Sequence, residues 1–178
     1  MARGWFVFLA ILVAGLVFSC HQKPPLQPKR YEYYTTYVTP YARLALTPRQ
    51  DSSDVLPFTY YEYTTEPGDK LVFELVYEQG DSTHEDAGAA ETAVFEIPDT
   101  ATSFRIRDRE FLAHQGLWIK TCFCFEPTAN KARKIDSGNQ VAGRQLTPFT
   151  WLIHSEIVGI NFTDTIDIRT KNVVDRLK

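Results

Sequence analysis

The side chains that carry most enzyme chemistry are thin in this chain. Its 178 residues include four histidines and three cysteines. His21, His84, His114 and His154 show no HExxH or other paired spacing, which removes the common zinc-hydrolase pattern. No GxGxxG or Walker-type loop occurs, so nothing announces a phosphate cradle or a nucleotide fold. A GxSxG elbow is absent too. His154-Ser155-Glu156 looks like a triad written in a row, but neighbours on a strand point to opposite faces and cannot form the hydrogen-bond chain. Nor is there an excess of positive charge. Nineteen Lys and Arg stand against 22 Asp and Glu, and nucleic-acid binding needs a basic footprint. The longest apolar run falls short of the ~20 residues that a spanning helix requires.

That run opens the chain. Residues 1–20 read MARGWFVFLAILVAGLVFSC, with Arg3 as a short positive start and Trp5 to Phe18 unbroken by any polar side chain. This is the charge and length pattern of a signal peptide. Val17-Phe18-Ser19-Cys20 at its end resembles the lipobox of bacterial lipoproteins. The resemblance implies a diacylglyceryl thioether on Cys20, cleavage after Ser19, and an acylated new amino terminus, palmitate being the typical chain. Ordinary secretory cleavage at the same bond and an uncleaved short anchor are the alternatives. Each buried methylene contributes about 0.8 kcal/mol, so two or more chains anchor durably where one does not.

Residues 20–30 then read as a tether. Pro24, Pro25 and Pro28 favour extended polyproline geometry, with Lys23, Lys29 and Arg30 between and after them. At ~3.1 Å per residue such a stretch holds a domain roughly 30 Å from the lipid. His21, rather than aspartate, follows the cysteine. Among the lipoproteins that the leader resembles, this implies the outer membrane. The basic tether differs from acidic surface-export signals and implies a domain facing the periplasm.

From residue 31 to 178 the expectation is one all-β domain, an antiparallel β-sandwich of about nine strands, with a closed β-barrel as the alternative and little helix. All nine tyrosines fall within Tyr31 to Tyr77, and aromatics make up 13% of the chain, a composition suited to pleated, half-buried surfaces. Residues 70–78 alternate, with Leu71, Phe73, Leu75 and Tyr77 facing one way. Further strands are expected at 31–38, 58–65, 91–97, 103–109, 117–125, 149–154, 157–163 and 166–170. Turn signals such as Glu66-Pro67-Gly68-Asp69 and Asp136-Ser137-Gly138-Asn139 separate them. Short helices are expected at 108–115 and 172–177, and 129–145 reads as a polar loop carrying Lys131, Arg133, Lys134 and Arg144. The echo between Tyr31-Glu32-Tyr33-Tyr34-Thr35-Thr36 and Tyr61-Glu62-Tyr63-Thr64-Thr65 reflects shared composition more readily than duplication.

Three features could hold chemistry. Arg105, Arg107 and Arg109 alternate with Phe104 and Ile106, so in a strand they project to one face about 7 Å apart. Pairing with acids across the sheet is the favoured reading, and a grip on phosphate or carboxylate groups is the alternative. His84, Asp81 and Asp86 lie in an acidic loop that could take a cation, although such loops are usually just solvated. Cys122 and Cys124 have i, i+2 spacing, which is unlike zinc ribbons and awkward for a mutual bridge. Burial as small apolar side chains is favoured there, a strained or intermolecular bridge being the alternative.

Together these readings point to a membrane-anchored, non-catalytic envelope lipoprotein without a cofactor, binding another envelope protein or a glycan. A small-ligand carrier barrel and a metal-dependent hydrolase are the rivals.

Overall fold

The computed structural model describes residues 30–52, 57–81, 88–122, 128–167 and 172–175. Almost all of them are strand, arranged in two antiparallel sheets. Chain order gives β1 (Arg30–Asp51), β2 (Phe58–Pro67), β3 (Lys70–Asp81), β4 (Ala89–Pro98) and β5 (Ser103–Arg107). A 3-10 turn (Asp108–Leu112) leads to β6 (Leu117–Cys122), β7 (Arg133–Lys134), β8 (Gln140–Thr147), β9 (Thr150–Ile157), β10 (Ile160–Asp167) and β11 (Asn172–Asp175). Sheet A runs β11-β1-β3-β4-β6-β7 with β2 also on β1, and sheet B runs β10-β9-β8-β5.

Strands β1, β2 and β3 build a bent ribbon. As β1 advances from Arg30 to Asp51, its partners run back through β3 and then β2. The ribbon kinks where the register shifts between Thr39 and Ala42, with Tyr41 at φ 53°. Pro40 lies inside this bulge, where a missing N–H breaks no ladder bond. Past the kink, the arm made by the second half of β1 and by β2 folds back over sheet A. The Leu44 N–H donates to the Glu96 carboxylate at 2.8 Å. Tyr61 N–H donates to the Ala132 carbonyl at 2.8 Å. That last bond brings β2 to the strand end opposite β1, so sheet A curls into a nearly closed barrel.

Two cores result. Between the sheets, Leu71, Phe73 and Leu75 of β3 and Phe95 and Ile97 of β4 meet Ile106, Val141, Trp151, Ile153 and Ile160, all buried. Phe73 and Phe95 stack at 5.3 Å with planes 2° apart, and Trp151 stands edge-on to Phe73 at 5.7 Å. Under the arm, Ala42 and Leu44 cover Val72 and Val94. This explains why β3 buries Val72 as well as Leu71, Phe73 and Leu75. A strand covered on both faces loses its clean alternation.

Several expected elements differ. Residues 172–175 form a strand on Tyr33–Thr36 of β1 in place of the helix expected at 172–177. Val173 and Val174 suit a ladder, and β1 offers an open edge. Within 129–145, read as a polar loop, lie β7 and the start of β8. The helix at 108–115 shortens to the 3-10 turn. The strands expected at 157–163 and 166–170 run together in β10 as far as Asp167, after a turn at Val158-Gly159 where Gly159 has φ 76°; residues 168–170 lie outside the described residues.

Candidate functional site

The outward face of sheet B follows from register. Alternation along β5, β8 and β9 sends Ile106, Val141, Ile153 and Ser155 inward and leaves Arg105, Arg107, Arg144, His154 and Glu156 exposed. Arg105 pairs with Ala142, which pairs with His154, which pairs with Thr163. Arg144 is two residues from Ala142 on the same face of β8. The two arginines therefore flank a residue with almost no side chain. The result is a groove of about 310 Å3 with Arg105 and Arg144 at its sides and Leu152, His154 and Thr163 beyond.

Two acidic side chains lie near this face, and neither meets Arg105 or Arg144. Glu156 accepts hydrogen bonds from Gln140 and from His154 Nε2, the latter at 3.0 Å. The Gln140 bond, then the His154 bond, hold the Glu156 carboxyl below its ordinary range, with Arg107 adding charge attraction. His154 Nδ1 lies 2.7 Å from the Thr163 hydroxyl. Asp108 turns away and accepts the Gly138 N–H at 2.6 Å. Other arginines do find acids: Arg43 meets Glu66 at 3.1 Å and Arg49 meets Glu62 at 2.8 Å. Among the described residues, Arg105 and Arg144 form neither an ion pair nor a side-chain hydrogen bond. Cross-sheet pairing with acids, the favoured reading of the arginine strand, is not made by Arg105, whereas Arg107 attracts Glu156 across the sheet.

The sequence-predicted residues divide as follows. Arg105 and Arg107 share the exposed face of β5, but the strand ends at Arg107. Asp108, at φ 48°, turns the chain into the 3-10 turn, so Arg109 leaves the row. Glu110 closes that turn by accepting the Arg107 N–H at 2.8 Å. Arg144 replaces Arg109 as the third basic arm. Sequence reasoning missed it because β8 lacks an alternating apolar signal: its inward position 143 is glycine. An added Cβ there would come 2.5 Å from Phe104 Cζ, so the Phe104 ring fills the place of a side chain.

His84 and Asp86 lie outside the described residues, as do Cys20 and Cys124. The backbone of Asp81 ends β3. Groups of metal-binding side chains are absent among the described residues. Cys122 is half-buried and disulfide-bonded, which corrects its reading as a free apolar thiol. Its partner is outside the described residues. Ser155 is buried and its hydroxyl donates to the Ile160 carbonyl at 2.9 Å, facing away from His154. His114 Nδ1 sits 2.8 Å from the Glu96 carbonyl. Chemically, the Arg105–Arg144 groove can hold anions and offers no placed nucleophile. No protein family, curated protein or solved structure matches the chain.

Proposed function

We propose that the chain is a non-catalytic binding module of the bacterial cell envelope, lipid-anchored through Cys20 and borne on the outer membrane facing the periplasm. It takes carboxylate or phosphate groups of a glycan or of another envelope protein on the outer face of sheet B. The lipobox-like stretch ending at Cys20 supports the location. The observation that carries the binding reading is the pair Arg105 and Arg144, flanking Ala142 without an acidic partner among the described residues. Two guanidiniums left exposed beside a small residue repel one another and gain little for the fold. An anionic partner would offset that repulsion and match the fork geometry of both.

The carrier reading has less support, because Phe73, Phe95 and Trp151 are fully buried and fill the space between the sheets. Binding of the full chain in detergent to two defined polyanions, polygalacturonate for carboxylates and inorganic polyphosphate for phosphates, tests the site. Arg105→Ser with Arg144→Ser should weaken binding to at least one of them by roughly tenfold or more. Affinity unchanged by both substitutions would defeat the assignment.

A further inference from the structure

A second cavity, of about 280 Å3, opens where β6, β7 and the turn between β9 and β10 meet, and it shares no lining residue with the Arg105–Arg144 groove. Trp118 of β6 stands directly across from Arg133 of β7. The guanidinium lies over the indole ring, 4.8 Å from the ring centre. The ring is itself fixed, because its N–H donates to the Glu91 carboxylate at 3.1 Å. Arg133 is half-buried, and its Nε is buried without a hydrogen-bond partner. Among the described residues it has no ion pair either. Ile135 and Ile157, both buried, and Val158, 59% exposed at the mouth, give the wall its apolar part, and Lys134, Asp136 and Asn139 complete it. Asn139 offers nothing to a ligand, since its amide bonds Asp136 O, Ser137 O and Val158 N.

We infer that this cavity binds a carboxylate attached to a short, branched apolar body. A carboxylate matches with its two oxygens the outer guanidinium edge, whose Nη atoms form no hydrogen bond among the described residues. Lys134 also lines the cavity, but its ammonium donates to Gln115 Oε1 at 3.2 Å and lies over the Tyr61 ring, and Asp136 disfavours a doubly charged phosphate. The size, just under that of ordinary small-molecule sites, suits one residue-sized group. The chemistry is shared by a free branched-chain acid and by the carboxyl terminus of a peptide. The inference stands whether or not the sheet B reading does.

The test uses the full chain in detergent with four probes: 4-methylpentanoate, N-acetyl-alanyl-leucine, and the neutral amide of each. Binding is read from tryptophan fluorescence and from the Arg133 Nε–H signal in NMR spectra. At least one acid should bind saturably and shift the Arg133 signal, and its amide should bind roughly tenfold or more weakly. The free acid alone would mark a small metabolite and the peptide alone a chain terminus, and either supports the site. Arg133→Gln should abolish the effect. Val158→Trp, which fills the mouth from an exposed position and spares the core, should do the same. If neither acid binds, if the amides bind equally, or if Val158→Trp leaves binding intact, the inference is overturned.

Discussion

Gly143 is the residue on which the packing of sheet B under the groove can be tested most sharply. In an ordinary strand, Gly→Ala stabilises by roughly 0.5–1 kcal/mol through backbone entropy. Here the new Cβ would lie 2.5 Å from Phe104 Cζ and 2.9 Å from Ile153 Cδ1. Phe104 cannot swing aside freely, because Phe73, Phe95 and Trp151 surround it at ring-centre distances of 5.4, 5.7 and 5.8 Å. Overpacking a closed core costs about 1–3 kcal/mol, which outweighs the entropic gain. Gly143→Ala should therefore lose about 1–2 kcal/mol net, or roughly 2–8 °C in Tm for a chain of this size. Phe104→Leu should partly rescue it, giving a favourable coupling in a double-mutant cycle by thermal or urea unfolding. A higher Tm for Gly143→Ala, or additive effects with Phe104→Leu, would refute the packing argument.

Other consequences follow from single groups. Burial raises the Glu74 carboxyl above its ordinary value. Its share of stability is thus fully present below the unfolded pKa and lost as pH rises through the folded one. Glu74→Gln should gain on the order of 0.5 kcal/mol at neutral pH, the group being half-exposed. That gain should vanish in acid, as pH-dependent urea midpoints will report. Asn139→Ala leaves the Val158 N–H without its acceptor and frees the loop before β8. A loss of about 2–3 kcal/mol is expected in the same assay. Cys20→Ser should abolish metabolic labelling with a fatty acid and release the chain to the soluble fraction. Unchanged membrane retention would contradict the anchor.

Much of the β architecture was legible because it rests on local pattern. Leu71, Phe73 and Leu75 alternate, and Pro67-Gly68-Asp69 and Pro98-Asp99 mark strand ends where sheet A needs them. What escaped was set by tertiary context. The strand expected at 31–38 continues to Asp51, passing Pro40 in a bulge and Pro48 where β2 is its partner. Residues 172–175 owe their conformation to the open edge of β1. The arginine face was half legible: Arg105 and Arg107 declare themselves by alternation, but Arg144 joins them only through the pairing of β5 with β8. Likewise, nothing in the spacing of Trp118 and Arg133 announces that β6 and β7 set them face to face.

The most direct test of the binding claim is a photo-crosslinking amino acid at position 142, between the two arginines, in cells that make the full chain. The same residue at position 41, which is 74% exposed at the kink of β1, serves as the comparison. The account predicts a discrete adduct from position 142, absent from position 41 and lost with Arg105→Ser and Arg144→Ser. An adduct that survives both substitutions, or none from position 142 at all, would contradict it.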